Sequence, residues 1–205
     1  MRRVGERSIA VGAATASDGR RLSYKPVMNG PVIETERLIL RPPQTEDFGP
    51  WAATMEDADS SRFIGGPQPP SGAWRGFCCV AGAWSMFGFA MFSVVEKSSG
   101  KWIGRLGPWK PEAWPGPEVG WGLAKEAWGK GYATEGATAA IDWAFNTLDW
   151  TEVIHCIDPE NAPSQAVARR LGSKNLGAGT LPAPYNTAPI EIWGQSAQEW
   201  RARKR

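Results

Sequence analysis

The chain has 205 residues, 42% of them hydrophobic, which suits one domain, or one domain with tails, able to bury a core without disulfide or metal staples. That share of apolar residues excludes global disorder. The net charge of +2 is unevenly placed: the first 25 residues carry +4, the last nine +3 and the body between them −5, an acidic body that suits an amine substrate.

Residues 1–27 read as a poorly ordered extension, with a start upstream of Met28, and 28–205 as a single domain. The apolar patch from Ile9 to Ala16 is too short and broken for a secretory signal, and no run reaches the roughly 18 apolar residues of a membrane span. Folding is expected to begin near Pro31. Ile33 to Arg41 alternates as a strand, with Leu38 and Leu40 on one face and Ile39 on the other, and Pro42 and Pro43 end it. Thr45 is the expected cap of a helix with Glu46 and Asp47 in its first turn and Trp51, Ala52 and Met55 at helical spacing.

After a break at Pro67 to Pro70, a second helix is expected over Gly72 to Ala83, with Trp74, Cys78 and Val80 or Ala81 inward. Phe87 to Val95 and Trp102 to Leu106 read as strands joined by a turn at Lys97 to Gly100. Pro108 to Pro117 reads as a loop, whose Trp109 and Trp114 either line a pocket or, more simply, cap the edge of the core. Glu118 to Leu123 is a short apolar strand, Ala124 to Gly131 a glycine-punctuated turn, and Tyr132 to about Leu148 an amphipathic helix. Then come a strand (Val153 to Ile157), a turn, a helix (Ser164 to Leu171) ended by Gly172, a Gly/Pro/Asn-rich segment (Ser173 to Pro189), a strand (Ile190 to Trp193) and a helix (Ala197 to Arg203). This order gives a mixed α/β sheet.

The stretch EVGWGLAKEAWGKGYATEG, Glu118 to Gly136, organises the rest. Strand, glycine loop and helix in that order leave free backbone N–H groups at a helix N-terminus, where anions bind. A Walker loop fails here, because Ala124 stands at its first glycine and Gly131 where its Ser or Thr is required. A dinucleotide fingerprint fails at its last position, Thr134. Two glycines that merely make a tight turn remain the plain alternative.

The run WGKGYATEG resembles the N-acetyltransferases of the GNAT superfamily, and within it the Rim-type branch that includes ribosomal-protein N-terminal acetyltransferases. The family's pyrophosphate loop, Q/R-x-x-G-x-G/A, reads Glu126-Ala127-Trp128-Gly129-Lys130-Gly131 here, with Glu126 a departure at the first position. ERLILRPPQTEDF resembles the family's usual opening, and DPENAPSQAVARRLG its N-x-x-S segment, so the likeness spans about residues 31–200. It implies a mostly antiparallel central sheet, bent at a bulge and flanked by helices. Gly120 and Gly122 inside a strand fit a bulge on their own account.

The resemblance implies acetyl-CoA as co-substrate. Backbone at Trp121, Gly122 and Leu123 would pair with the pantetheine arm, and backbone N–H groups of Trp128, Gly129, Lys130, Gly131, Tyr132, Ala133 and Thr134 would hold the pyrophosphate. Asn161 would bond the cofactor arm, and Ser164 would protonate the leaving thiolate. The alternative for both is an ordinary helix start with one of them as its cap. Glu118 is the candidate general base, against a plain solvated carboxylate at a strand end. The backbone N–H near Leu123 would polarise the thioester carbonyl. Rim-type relatives carry a second carboxylate after the Ser164 helix, whereas Ser173 to Pro189 contains no Asp or Glu.

Cys78, Cys79 and Cys156 form no C-x-x-C pair, which argues for a reducing compartment, the cytoplasm, and against disulfides or zinc. His155 is the only histidine, so no multi-histidine metal site exists and no metal is expected. His155 and Cys156 are adjacent on a strand and point to opposite faces, which rules against a nucleophile–base pair. The expected activity is acetyl transfer to a primary amine, on a small molecule or a protein N-terminus, by direct attack. The alternative is an acyl-CoA-binding protein without turnover. The basic ends read as solvated tails rather than a nucleic-acid contact, and the resemblance leaves a homodimer open.

Overall fold

Leu38 and Leu40 are fully buried, as their alternation requires, and they anchor one end of an eight-stranded sheet in the computed structural model, which describes residues 30–203. The extension expected over residues 1–27 and the last two residues of the basic tail lie outside the described residues. The strands are β1 (Ile33–Glu34), β2 (Leu38–Arg41), β3 (Phe92–Glu96), β4 (Trp102–Trp109), β5 (Glu118–Leu123), β6 (Glu152–Ile157), β7 (Lys174–Gly179) and β8 (Ile190–Ser196). Their order in the sheet is β1-β2-β3-β4-β5-β6-β8-β7, and every pairing is antiparallel except β5 with β6. The helices are α1 (Phe48–Glu56), α2 (Ala58–Ser61), α3 (Pro70–Phe87), α4 (Tyr132–Thr147), α5 (Ala162–Leu171) and α6 (Ala197–Ala202). The fold is the mixed, mostly antiparallel sheet with flanking helices that the sequence implies.

Adjacent residues of β4 show how the helices are distributed. Arg105 stacks on Trp51 of α1, with 4.7 Å to the ring centroid. On the other face, a Cβ at Gly136 of α4 would lie 2.5 Å from Leu106 Cδ2, so only glycine lets α4 approach β4 this closely. Ala137, Ala140, Ile141, Ala144 and Phe145 continue that buried stripe of α4. Trp51 and Phe77 pack edge to face at 5.5 Å, joining α1 to α3.

Several elements differ from the expectation. Ile33 to Arg41 is a hairpin of two strands, β1 and β2. Thr45 caps nothing. It opens a 3-10 turn whose N-cap position is Gln44, and Asp47 is buried, taking both guanidinium bonds of Arg41 (2.7 and 2.8 Å), the Gln44 N–H (2.8 Å) and the Ser93 hydroxyl (2.7 Å). Helix α3 starts at Pro70, because proline fits a first helical position, and runs on to Gly88 at φ 74°. Its buried residues are Ala73, Phe77, Val80 and Trp84, so Trp74 and Cys78 are exposed, not inward. Phe87 ends α3 and belongs to no strand. Trp109 lies in β4, and Lys174 to Gly179 forms the edge strand β7.

The ladder between β4 and β5 is in unbroken register from Gly104↔Leu123 to Trp109↔Glu118. Gly120 and Gly122 therefore make no bulge against β4, and the register slips lie elsewhere, at Val94/Val95 and at Asn175/Gly177. Gly104 and Gly107 of β4 carry the positive φ angles, 153° and 131°. At Gly104 a Cβ would meet the Gly122 carbonyl oxygen at 2.6 Å. The functional opening arises between β5 and β6. They share one bridge, Glu118↔Ile154, reinforced by Ile154 N–H to Pro117 O at 2.9 Å, and then part.

Candidate active site

Alternation fixes what faces the gap between β5 and β6. Ala124 N–H donates to Ile103 O (2.9 Å), so the main-chain groups of residues 124, 122, 120 and 118 point to β4. Those of 119, 121 and 123 point into the gap. Accordingly Val119 O accepts from His155 Nδ1 (2.7 Å) and Leu123 O from Trp128 Nε1 (2.8 Å). The structure thus turns the backbone of Trp121 and Leu123 toward the gap and that of Gly122 away from it.

Glu118 stands where the strands part. Only 7% of it is exposed, so it is not a solvated strand-end carboxylate. Trp114 Nε1 donates to Oε2 at 2.6 Å and the Cys156 N–H to Oε1 at 3.2 Å. Burial outweighs these donors and pushes the carboxyl up to about 7. A Cβ at Gly120 would lie 3.1 Å from Oε1 and 3.0 Å from Met91 Cε, so the glycine leaves room for the carboxylate.

Glu118 opens onto a cavity of about 1190 Å³. It is lined by Trp109 and Trp114: Trp114 is also the carboxylate's partner, while Trp109 packs against the edge of the core as well, so both readings of that segment hold in part. Arg105 lines it too. The Arg105 guanidinium lies over Trp51, its Nη1 is 3.1 Å from Met91 Sδ, and burial lowers its pKa. Loops 63–68 and 181–188 roof the cavity, and a Cβ at Gly65 would lie 3.5 Å from Tyr185 Cε1. The cavity continues to Trp121, Asn161 and Ser164.

On that side Trp121 Nε1 donates to Ser164 Oγ at 3.1 Å, bringing two of the sequence candidates together across the gap. Asn161 is the N-cap of α5: its Oδ1 accepts from the Ser164 N–H (3.1 Å). Its side-chain NH₂ is left to offer a ligand. The Ser164 hydroxyl proton is not used by the indole bond, in which the oxygen accepts.

The glycine loop lies beyond the cavity. Gly129 and Gly131 have φ 73° and 81°, and an added Cβ at Gly129 would meet nothing within 4 Å. Gly131 is the N-cap of α4 and supplies no side-chain cap. The first amide with an intrahelical partner is Glu135 (3.1 Å to Gly131 O), so those of Tyr132, Ala133 and Thr134 point out of the helix end. Lys130 is exposed, with Nζ 6.0 Å from the Tyr132 ring centroid. Arg37 reinforces the loop, donating to Lys130 O (2.9 Å) and pairing with Glu135 (2.6 Å). Trp128 folds its indole back onto β5. An uncapped helix end, two left-handed glycines and an open strand edge fit a pyrophosphate and a pantetheine arm.

His155 and Cys156 are not a catalytic pair. His155 is buried, donates through Nδ1 to Val119 O and accepts at Nε2 from Ser173 Oγ (2.9 Å); burial pushes it down to about 4. Burial and the neighbouring Glu118 raise the Cys156 thiol, which makes it a poor nucleophile. Among the described residues no cluster of His, Cys, Asp and Glu is arranged to hold a metal, and no helix is long and apolar enough to cross a membrane.

The sequence reasoning missed Arg105 and Arg37. A lone arginine in the otherwise apolar run from Trp102 to Leu106 was the available signal for the first.

A model of the acetyltransferase (GNAT) domain matches residues 37–174. The chain belongs to the GNAT acetyltransferase family. An acetyltransferase from Agrobacterium tumefaciens str. C58 is 31% identical, with 86% of this chain and 99% of that one covered at a TM-score of 0.72. The GNAT fold here is also similar to that of a ribosomal-protein-S5-alanine acetyltransferase from Vibrio fischeri (20% identity, 82% and 98% covered, TM-score 0.64). It is similar again to Mycobacterium smegmatis RimJ in complex with CoA-disulfide (21%, 79% and 83%, TM-score 0.62). At those two identities the likeness is one of fold. No functionally curated protein matches the sequence. Membership of the GNAT family supports acetyl transfer from acetyl-CoA by this cleft.

Proposed function

We propose that the protein is an N-acetyltransferase of the Rim-type branch that moves the acetyl group of acetyl-CoA to a primary amine by direct attack. The observation that carries this is Glu118, a buried carboxyl at the parting of β5 and β6 with a pKa of about 7. A base of that pKa, at the floor of a cavity, is suited to take a proton from an amine near neutral pH. The run from Trp128 to Gly136 supports the branch.

Acetyl-CoA supplies the acetyl thioester. Trp121 and Leu123 pair through their main chain with the pantetheine arm, while Gly122 contributes a missing side chain rather than a hydrogen bond. The N–H groups from Gly129 to Thr134 hold the pyrophosphate, with Lys130 adding positive charge; the Trp128 N–H, expected to join them, instead donates to Lys125 O at 3.1 Å. The Leu123 N–H polarises the thioester carbonyl. As the amine nitrogen bonds to the carbonyl carbon and the C–S bond breaks, Glu118 receives the amine proton, and the Ser164 hydroxyl donates a hydrogen bond to the departing thiolate, which takes up its proton from solvent. Asn161 holds Ser164 in place by capping its helix and offers its NH₂ to the cofactor arm. Neither cysteine takes part.

Acyl-CoA binding without turnover is the competing reading, and the lack of any Asp or Glu in residues 173–189 favours it. An amine panel followed by thiol release from acetyl-CoA separates the two. Transfer to a primary amine is expected, and binding of acetyl-CoA with no transfer to any amine leaves only the second reading.

A further inference from the structure

Arg105 is an incomplete site. Its guanidinium has five N–H donors in a planar fork and cannot lose its charge in a protein. Among the described residues its one hydrogen bond is Nη1 to the Met91 thioether, a weak acceptor, and no carboxylate lies within ion-pair distance. Stacking on Trp51 fixes the fork in place. Glu118 and Tyr185 act on it only from beyond ion-pair distance, too weakly to offset its burial, and the remaining donors border the cavity.

Arg105 and Glu118 lie on the same face of the sheet, since their registered partners Gly122 and Trp109 are an even number of residues away from them along each strand. Met91 sits between the two groups. Its sulfur meets the guanidinium, and its methyl and Glu118 Oε1 lie 3.0 and 3.1 Å from the position an added Gly120 Cβ would take. An oxyanion held by Arg105 would therefore share this face of the sheet and the same cavity with the base. The roof made by loops 63–68 and 181–188, closed where Tyr185 packs on Gly65, suits a small molecule better than an emerging polypeptide.

We infer that the acceptor is a small amino-acid-type molecule, whose carboxylate is bound by Arg105 while its amine is presented to Glu118. This rests on the N-acetyltransferase reading of the same cleft. A carboxylate matches the fork with two parallel N–H···O bonds, and Trp51 shields the pair from water. Trp109 and Trp114 offer apolar area to the rest of the acceptor.

The test compares kcat/KM for amino acids, their carboxamide twins, phosphoethanolamine against ethanolamine, and short peptides, each at a pH set by its own amine pKa. Wild type is expected to prefer the carboxylates over the carboxamides by about ten- to a hundredfold, chiefly in KM. In Arg105→Gln the ratio should fall to near one, with Arg105→Lys between. Calorimetry with acetyl-CoA shows whether each variant is folded. A wild-type ratio near one, a preference that survives Arg105→Gln, or a preference for the phosphate or the peptides overturns the inference. If no amine is acetylated, the N-acetyltransferase reading fails by itself. The inference is then decided by calorimetry of N-acetyl amino acids against their carboxamides on the CoA-loaded protein, where tighter binding of the carboxylate supports it and equal binding sinks it.

Discussion

His155 and Glu118 are both buried ionisable groups at the parting of β5 and β6, and their surroundings are opposite in kind. Protein groups satisfy both ring nitrogens of His155, and Gln195 Nε2 completes the network by donating to Ser173 Oγ at 2.9 Å. Its bond to Val119 O stands in for a ladder bond that the diverging strands no longer make. On that side the protein alone satisfies His155, which serves as a strut, while Gln195 Oε1 is buried without a partner. On the cavity side, Glu118 is held by two donors yet left half-protonated near neutrality, and Arg105 has no carboxylate at ion-pair distance among the described residues. A histidine satisfied on both nitrogens braces the cleft, and the ionisable groups left incomplete on the cavity side mark what enters it.

The strongest way to break this contrast is Glu118→Gln. Loss of the base is expected to lower acetyl transfer by about 10²–10⁴-fold. Stability at pH 8 should not fall, because a buried charge is removed. Denaturant unfolding and an initial-rate assay read the two effects, and a variant that loses stability while keeping its rate would place Glu118 with the struts.

His155→Ala is expected to do the reverse in kind, costing about 2–4 kcal/mol by leaving a cavity and the polar groups of Val119 and Ser173 unmatched. The same contrast can be read from pH. Between about 4 and the ordinary 6.5, the unfolded chain binds a proton that folded His155 refuses, so its contribution is full above that window and is lost as pH falls through it. Glu118 has the opposite sign: between 4.5 and about 7 the folded chain holds the proton, so its contribution is present at low pH and is lost as pH rises. Each amounts to something on the order of 3 kcal/mol. The two therefore largely cancel between pH 4.5 and 6.5 in wild type. His155→Phe should expose the Glu118 slope alone, with stability falling as pH rises. A variant whose unfolding free energy still ignores pH there would contradict these assignments.

Smaller effects sharpen the roles around the gap. Ser164→Ala should slow transfer about tenfold, because a thiolate leaves moderately well without a hydrogen bond. Gly131→Ala places a methyl group at φ 81° and is expected to weaken acetyl-CoA binding several-fold, with little change in the KM of the acceptor. Equal losses for both substrates would show a general folding defect instead.

Much of the frame was legible because its signals are local. β5, the glycine loop and α4 lie within a residue or so of where apolar runs and glycines put them. α3 was misplaced because its Gly, Ala and Cys residues fit more than one helical face, and only tertiary packing chose Phe77 and Trp84 over Trp74. β7 was hidden because an exposed edge strand of Lys, Asn and Gly shows no apolar alternation. At the site, Glu118, Ser164 and the loop were visible as motif. Arg105 was not, since its meaning depends on what is absent around it in space. Nor did the sequence separate Gly122 from Trp121 and Leu123, which the ladder with β4 does.

The most direct test of the account follows acetyl transfer against pH in protein saturated with acetyl-CoA, using a primary amine whose own pKa lies far from 7, in wild type and in Glu118→Gln. The account predicts transfer in wild type with a break near pH 7, and a rate at least a hundredfold lower without that break in the variant. Transfer at the wild-type rate by Glu118→Gln, or tight acetyl-CoA binding with no transfer by wild type, would contradict it.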